Sequence, residues 1–236
     1  MKEQGDHGFE SYRKMGADAI AAGRLMGGAG LNGDRHWGTH FLTSSLPFGF
    51  TDYFPEGSGN GEQNTLHHEY FHVVQQAHIF TKDRNERDAL LGPVWFIEDG
   101  ADYMAQVTVK DGLSSGLVTS LNMDGRRWPG FEADMKQKMD EGLRNLKEVC
   151  PDSKLQDMDY QNDCNGAQYD LGSWGHAYLA NKFGADVLLN TFYPQLNSMS
   201  WEEAFLFTYG ISSSEFYVQF DEFLDLPWSG KVKILL

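Results

Sequence analysis

The 236-residue sequence predicts an α+β domain that is mostly α, with a small N-terminal strand region and a C-terminal helical lobe. Three observations predict it. The run over about 62–79 carries Leu66, Tyr70, Val73, Val74 and Ala77 at helical spacing, opposite His68, Glu69, His72, Gln75 and Gln76. Two capping boxes, Ser200 with Glu203 and Ser212 with Glu215, mark helix starts late in the chain. The stretch Trp37–Tyr53 is rich in Thr, Phe and Tyr and is broken by Pro47 and Gly49, which reads as one or two short strands.

Each element follows from local chemistry. Residues 10–26 have helical character and stop at Gly27, Gly28 and Gly30. Small residues from Pro55 to Gly61 form a loop ahead of the 62–79 helix, and a charged connection runs from Thr81 to Asp88. Gly92-Pro93 opens a second helix over about 93–109, with proline where its missing N–H costs little. Residues 130–149 read as a polar helix that turns Phe131, Met135, Met139, Leu143 and Leu146 inward. Residues 150–168 look irregular, and a helix over about 169–183 stops at Gly184. One more helix covers about 185–193, and the capped helices complete the lobe. The expected organisation is a single domain over 1–236: a helix plus short strands over 1–61, two central helices over 62–109, and a helical lobe over 110–236.

Composition narrows the function classes. Hydrophobic residues make up 41% and aromatics 14%, enough for a packed core. Lys and Arg number 19 against 34 Asp and Glu, so the net charge is −15. Nucleic acid needs clustered Lys and Arg, and an anionic membrane surface needs positive charge, so neither is an expected partner. The acidic balance reads either as a self-repelling surface or as a preference for basic substrates. No run is long and apolar enough to span a membrane. Met1–Glu10 lacks the apolar stretch of a signal peptide, so the expected setting is the cytoplasm, or export with a signal already removed. Cys150 and Cys164 flank a polar, turn-rich stretch and are either bridged or free.

The most informative segment is His68-Glu69-Tyr70-Phe71-His72, an H-E-x-x-H pattern. Residues four apart on a helix share a face, so two neutral imidazoles can reach one ion. Glu69 is rotated by about 100° from His68 and does not easily join the pair as a ligand. It can reach a water on the ion and serve as its general base. From this chain's own His and Glu frequencies, such a pattern arises by chance roughly once in fifty sequences. His67 adds a neighbouring imidazole out of register. A catalytic zinc needs a third protein ligand from elsewhere and one open position.

Trp95-Phe96-Ile97-Glu98-Asp99-Gly100-Ala101-Asp102-Tyr103 supplies the candidate. Trp-x-x-Glu followed by Ala and Tyr, after H-E-x-x-H, resembles the gluzincin metallopeptidases, most of all the peptidase MA-like families with their W-x-x-E-G-x-A-x-Y pattern. Two departures are visible. Asp99 stands where those families carry glycine, with Gly100 next, and the connection from His72 to Glu98 is longer than in the aminopeptidase branch. Glu98 is the favoured carboxylate over Asp99, because Trp95, Ala101 and Tyr103 then fall in register.

The resemblance carries further expectations. It implies a thermolysin-like fold with one Zn2+ per chain on His68, His72 and Glu98. Asp102, four residues after Glu98, would orient a ligand histidine from behind, its alternative being an exposed surface charge. Tyr169-x-x-Gly172 is similar to the Y-x-x-G element whose tyrosine donates to the oxyanion in the aminopeptidase branch. His176, seven residues on, is the alternative donor. The segments Phe183–Asp186, Ser200–Phe205 and Tyr209–Ser212 also look like the peptidase MA-like tail, so the likeness covers roughly residues 36–225.

The expected function is a zinc metallopeptidase that cleaves peptide bonds in a peptide or protein substrate through a water activated by Glu69. An extended substrate would pair with the strand near Thr39–Ser45. Two other readings share the motif: a catalytically silent metal-binding interaction module, and a zinc hydrolase of a non-peptide bond. No anchor for a free N-terminus is visible, so exopeptidase activity is not expected.

Overall fold

The computed structural model describes residues 26–31, 37–42, 62–81, 83–116, 122–123, 126–127, 130–160 and 164–235. The described chain is mostly helical, as the sequence predicts. Strand β1 (Met26–Leu31) pairs antiparallel with β2 (Trp37–Leu42), and β3 (Asn122–Met123) pairs with β4 (Arg126–Arg127). The helices are α1 (Glu62–Ala77), α2 (Arg84–Leu91), α3 (Val94–Ser115), α4 (Phe131–Glu148) and α5 (Asn165–Phe183). A π-helical turn (Leu188–Phe192) runs into one helical turn at Tyr193–Gln195. Helices α6 (Trp201–Tyr209), α7 (Ser213–Leu224) and the short α8 (Trp228–Lys231) close the chain.

Helix α3 is central. It packs against α1 on one side and α5 on the other, while α5 also packs on α4 and β1 runs along α1. A helix with neighbours on several sides cannot keep a polar face in water. Accordingly α3 buries polar Asp99, Asp102 and Gln106 together with Trp95 and Phe96. The aromatic core sits beside this helix. Trp95 stacks on Phe216 with ring centroids 5.4 Å apart and donates its indole N–H to the Tyr217 hydroxyl at 3.0 Å. Trp174 of α5 donates to the Met135 carbonyl of α4 at 2.7 Å. Each large apolar body is buried while its polar atom keeps a partner. The inward face of α4 is as expected: Phe131, Met135 and Met139 are buried, and Leu143 and Leu146 pack against the core.

Both late capping boxes form. Ser200 N donates to Glu203 Oε2 at 2.9 Å, and Ser212 N donates to Glu215 Oε2 at 2.8 Å. The stop at Gly184 also holds. Cys150 and Cys164 are bridged, and their Cα atoms lie 5.8 Å apart.

Four expectations need correction. The glycine run expected to terminate a helix over 10–26 is instead the strand Met26–Leu31, while residues 10–25 lie outside the described residues. Its pairing with β2, such as Gly27 to Phe41 and Gly28 to His40, is a tertiary effect that local propensity does not carry. Of the expected strand region Trp37–Tyr53, β2 occupies Trp37–Leu42, and 43–53 lie outside the described residues. The charged connection from Thr81 contains helix α2, because Asp83 caps it by accepting from Glu86 N at 3.0 Å. The helix expected from 169 starts at Asn165, four residues earlier.

A further correction bears on the site. On α1, Tyr70 was assigned to the apolar stripe, yet it is 53% exposed. The buried side of α1 carries Phe71, His72, Val73 and Gln75. Imidazole and amide groups thus face α3. Burial of polar groups is costly unless they find partners, so their partners define the site.

Candidate metal centre

His68 and His72 lie one helical turn apart on α1 and face α3. Glu98 and Asp102 lie one turn apart on α3 and face back. The three side chains His68, His72 and Glu98 form a group able to hold a metal ion. The two Nε2 atoms are 3.1 Å apart, and Glu98 Oε2 lies 3.5 Å from His68 Nε2 and 3.6 Å from His72 Nε2. A tetrahedral zinc with bonds of about 2.0–2.1 Å holds its ligand atoms about 3.3 Å apart. The triangle therefore has the size of one face of such a tetrahedron.

Hydrogen bonding behind the histidines sets their tautomers. Gln75 Nε2 donates to the Ile97 carbonyl at 2.8 Å and to the Tyr193 hydroxyl at 3.2 Å, which fixes the amide. Its Oε1 then faces His72 Nδ1 at 2.8 Å and can only accept, so the His72 proton sits on Nδ1 and the Nε2 lone pair is free. His68 Nδ1 faces Asp102 Oδ1 at 3.8 Å, beyond hydrogen-bond length, and the charge of that carboxylate favours a proton on Nδ1. With both protons on Nδ1 the two Nε2 lone pairs would face each other at 3.1 Å, so a cation between them, either a proton on His68 Nε2 or a metal ion, is favoured.

The electrostatics agree. Burial works to lower the His68 pKa, but Asp102 and Glu98 outweigh it and raise the value to about 9. Burial works to raise the Glu98 pKa, and the two histidines with Tyr160 drive it well below the usual carboxylate range. Asp102 is also held ionised: burial opposes this, and Lys138 with His68 prevails. The pocket attracts positive charge, whether proton or metal ion.

The other expected residues divide. Asp102 is buried and stands behind His68, not in solvent. Asp99 points away from the histidines toward α5, where Ser173 Oγ donates to its Oδ1 at 3.3 Å, so Glu98 is the carboxylate that faces the pair. The Tyr169 hydroxyl donates to Glu98 Oε2 at 3.3 Å. Glu69 is half-buried, and its charge acts on the Tyr169 phenol. His176 is not brought to the cluster. It is buried among Trp95, Phe96 and Tyr103, and its Nε2 faces the Phe96 carbonyl oxygen at 3.1 Å. Burial lowers its pKa to about 4, so it is a neutral packing residue.

Three participants were not anticipated. Tyr160 donates its hydroxyl to Glu98 Oε1. It comes from an irregular stretch with no periodicity, so no pattern marks it. Gln75 was counted in the polar face of α1, and its spacing of three from His72 was the available signal. Lys138 looks like any surface lysine of a polar helix, although it borders the buried Met135 and Met139.

Comparison of the chain with known protein families, curated proteins and solved structures finds no match.

Proposed function

We propose that this chain is a zinc-dependent metallopeptidase with a thermolysin-like, gluzincin arrangement, in which His68, His72 and Glu98 hold one Zn2+. The observation that carries this reading is the triangle of ligand atoms with edges of 3.1, 3.5 and 3.6 Å. A zinc ion bound there would serve as a Lewis acid that acidifies water and polarises a carbonyl. Glu69, next to His68 on the same helix, takes the proton of the attacking water and returns it to the leaving amine nitrogen. Tyr169, beside the ligand oxygen of Glu98, donates to the oxyanion that develops on the substrate. Asp102 and Gln75 keep the two imidazoles turned with Nε2 toward the site. An extended peptide adds to the edge of β2 that is unpaired among the described residues.

The test is metal analysis followed by hydrolysis. The pure protein is expected to carry about one zinc per chain, lost in His72→Ala. Glu69→Gln is expected to keep the zinc and lose cleavage of a peptide library. Wild type that takes up no zinc defeats the reading, and so does Glu69→Gln that cleaves as fast as wild type. Stoichiometric zinc without cleavage of any peptide assigns the chain to the silent module or to a non-peptide bond instead.

A further inference from the structure

Two lysines of helix α4, Lys136 and Lys138, have opposite surroundings. Lys136 is exposed and pairs with Asp140 one turn on, as surface lysines do. The side chain of Lys138 is only 13% exposed and sits where α3, α4 and α5 meet. A buried ammonium is expensive and persists only where it is paired. Lys138 Nζ pairs with Asp102 of α3 and donates to the Tyr169 carbonyl of α5 at 2.9 Å. The far oxygen of Asp102 faces His68, and the Tyr169 side chain reaches Glu98.

We infer that Lys138 is a positioning residue of the metal site, a single anchor that holds Asp102 behind His68 and also holds the backbone of Tyr169, whose phenol meets Glu98. This rests on the metal reading above. Two metal ligands from two helices are thereby tied to one point on a third. A lysine that only packs α4 on α5 does not need the pair with Asp102 of α3.

The charge around it supports the role. Lys138 acts on Asp99, Asp102, Asp134 and Asp170, four carboxyls near one ammonium. One positive charge cannot neutralise four. Burial pushes Asp134 up to about 6 and Asp170 up to about 7 despite Lys138. Asp102 is the one of the four in direct contact with the ammonium. Lys138 therefore pins the carboxyl that stands at the back of His68, the arrangement that fixes ring orientation.

The experiment uses Lys138→Met, which keeps the apolar stem and removes the charge, with Lys138→Arg as the conservative variant. Zinc affinity is measured by competition with a chromophoric chelator, and ligand geometry by the visible spectrum of cobalt(II) at the site. The thermal midpoint of the metal-free protein reports folding separately. Lys138→Met is expected to bind zinc roughly 10–100-fold more weakly with an altered cobalt spectrum. Lys138→Arg is expected to recover most of the affinity. Adding Lys138→Met to Asp102→Asn is expected to cost little beyond Asp102→Asn alone, because both act on His68 through one pair. Wild-type zinc affinity and an unchanged spectrum in Lys138→Met overturn this inference alone, as do losses that multiply in the double variant. Wild type without zinc overturns the metal reading and this inference with it. Should Lys138→Met fail to fold, the same comparison is read on Lys138→Gln, which keeps a donor for the Tyr169 carbonyl.

Discussion

Asp99 on α3 and Gly172 on α5 fit as knob and notch: a Cβ on residue 172 would overlap the Asp99 carboxyl. The carboxyl is fully buried, with Ser173 on Oδ1 and no hydrogen-bond partner for Oδ2 among the described residues. The glycine of Tyr169-x-x-Gly172 thus has a steric reason in this chain. It makes room for the side chain that stands one residue after Glu98.

Gly172→Ala is therefore expected to destabilise the fold by about 1–3 kcal/mol, as overpacking does. Asp99→Gly empties the knob and should recover part of that loss, although a mid-helix glycine itself costs about 1 kcal/mol. Denaturant unfolding of the two single variants and the double variant checks this. Losses that simply add would show that the two side chains do not share the space.

Some of this architecture was legible in the residues. The capping boxes of α6 and α7, the inward face of α4 and the stop at Gly184 are local features, and each is present. His68, His72 and Glu98 could be named because two lie one turn apart and the third stands in a recognisable pattern. Strand β1 could not, since its pairing with β2 depends on residues about ten positions away. Tyr70 of α1 leaves the expected apolar stripe and stands exposed, because the side of the helix that meets α3 carries His72 and Gln75 instead. Tyr160 and Lys138 act across the fold, on Glu98 and Asp102, from stretches whose own pattern says nothing of those partners.

The two phenols on Glu98 should separate experimentally. Tyr169 meets Oε2, the oxygen nearest both imidazoles, whereas Tyr160 meets Oε1. On the metal reading Tyr160 holds the oxygen that is not a ligand and keeps Glu98 monodentate. Tyr160→Phe is then expected to weaken zinc binding by about tenfold. Tyr169→Phe is expected to lower kcat by roughly 100-fold or more, with little change in zinc content. Steady-state kinetics beside metal titration decide the matter, and equal effects of both variants on both quantities would refute the division.

The Cys150–Cys164 bridge closes a loop of 14 residues that includes Tyr160. Loops of this size lose about 3 kcal/mol of unfolded-state entropy when bridged. The double variant Cys150→Ser/Cys164→Ser should melt roughly 6–12 °C below wild type for a domain of this size. Reductant should lower wild type by a similar amount and leave the variant unmoved. A melting temperature insensitive to both would mean that the bridge adds nothing to stability.

Asp170 gives stability a pH dependence whose sign follows from its surroundings. Burial pushes its pKa up to about 7, with Glu141, Asp102 and Asp134 adding to the effect and Lys138 opposing it. In the unfolded chain the same carboxyl titrates near the ordinary value of about 3.9. Between those values the folded state binds more protons than the unfolded state, so this group's contribution falls as pH rises from about 4 to about 7. Below that window both states are protonated, and above it the loss is complete. Asp170→Asn removes the titration while keeping the shape. In metal-free protein its thermal midpoint should therefore gain on wild type as pH climbs through the window and hold a constant lead beyond it. Asp134, pushed up to about 6 by burial, acts with the same sign, and because its charge and that of Asp170 repel, Asp170→Asn also relieves Asp134 and shifts the difference in the same direction. Parallel curves for the two proteins from pH 4 to pH 8 would show that Asp170 titrates normally in the fold.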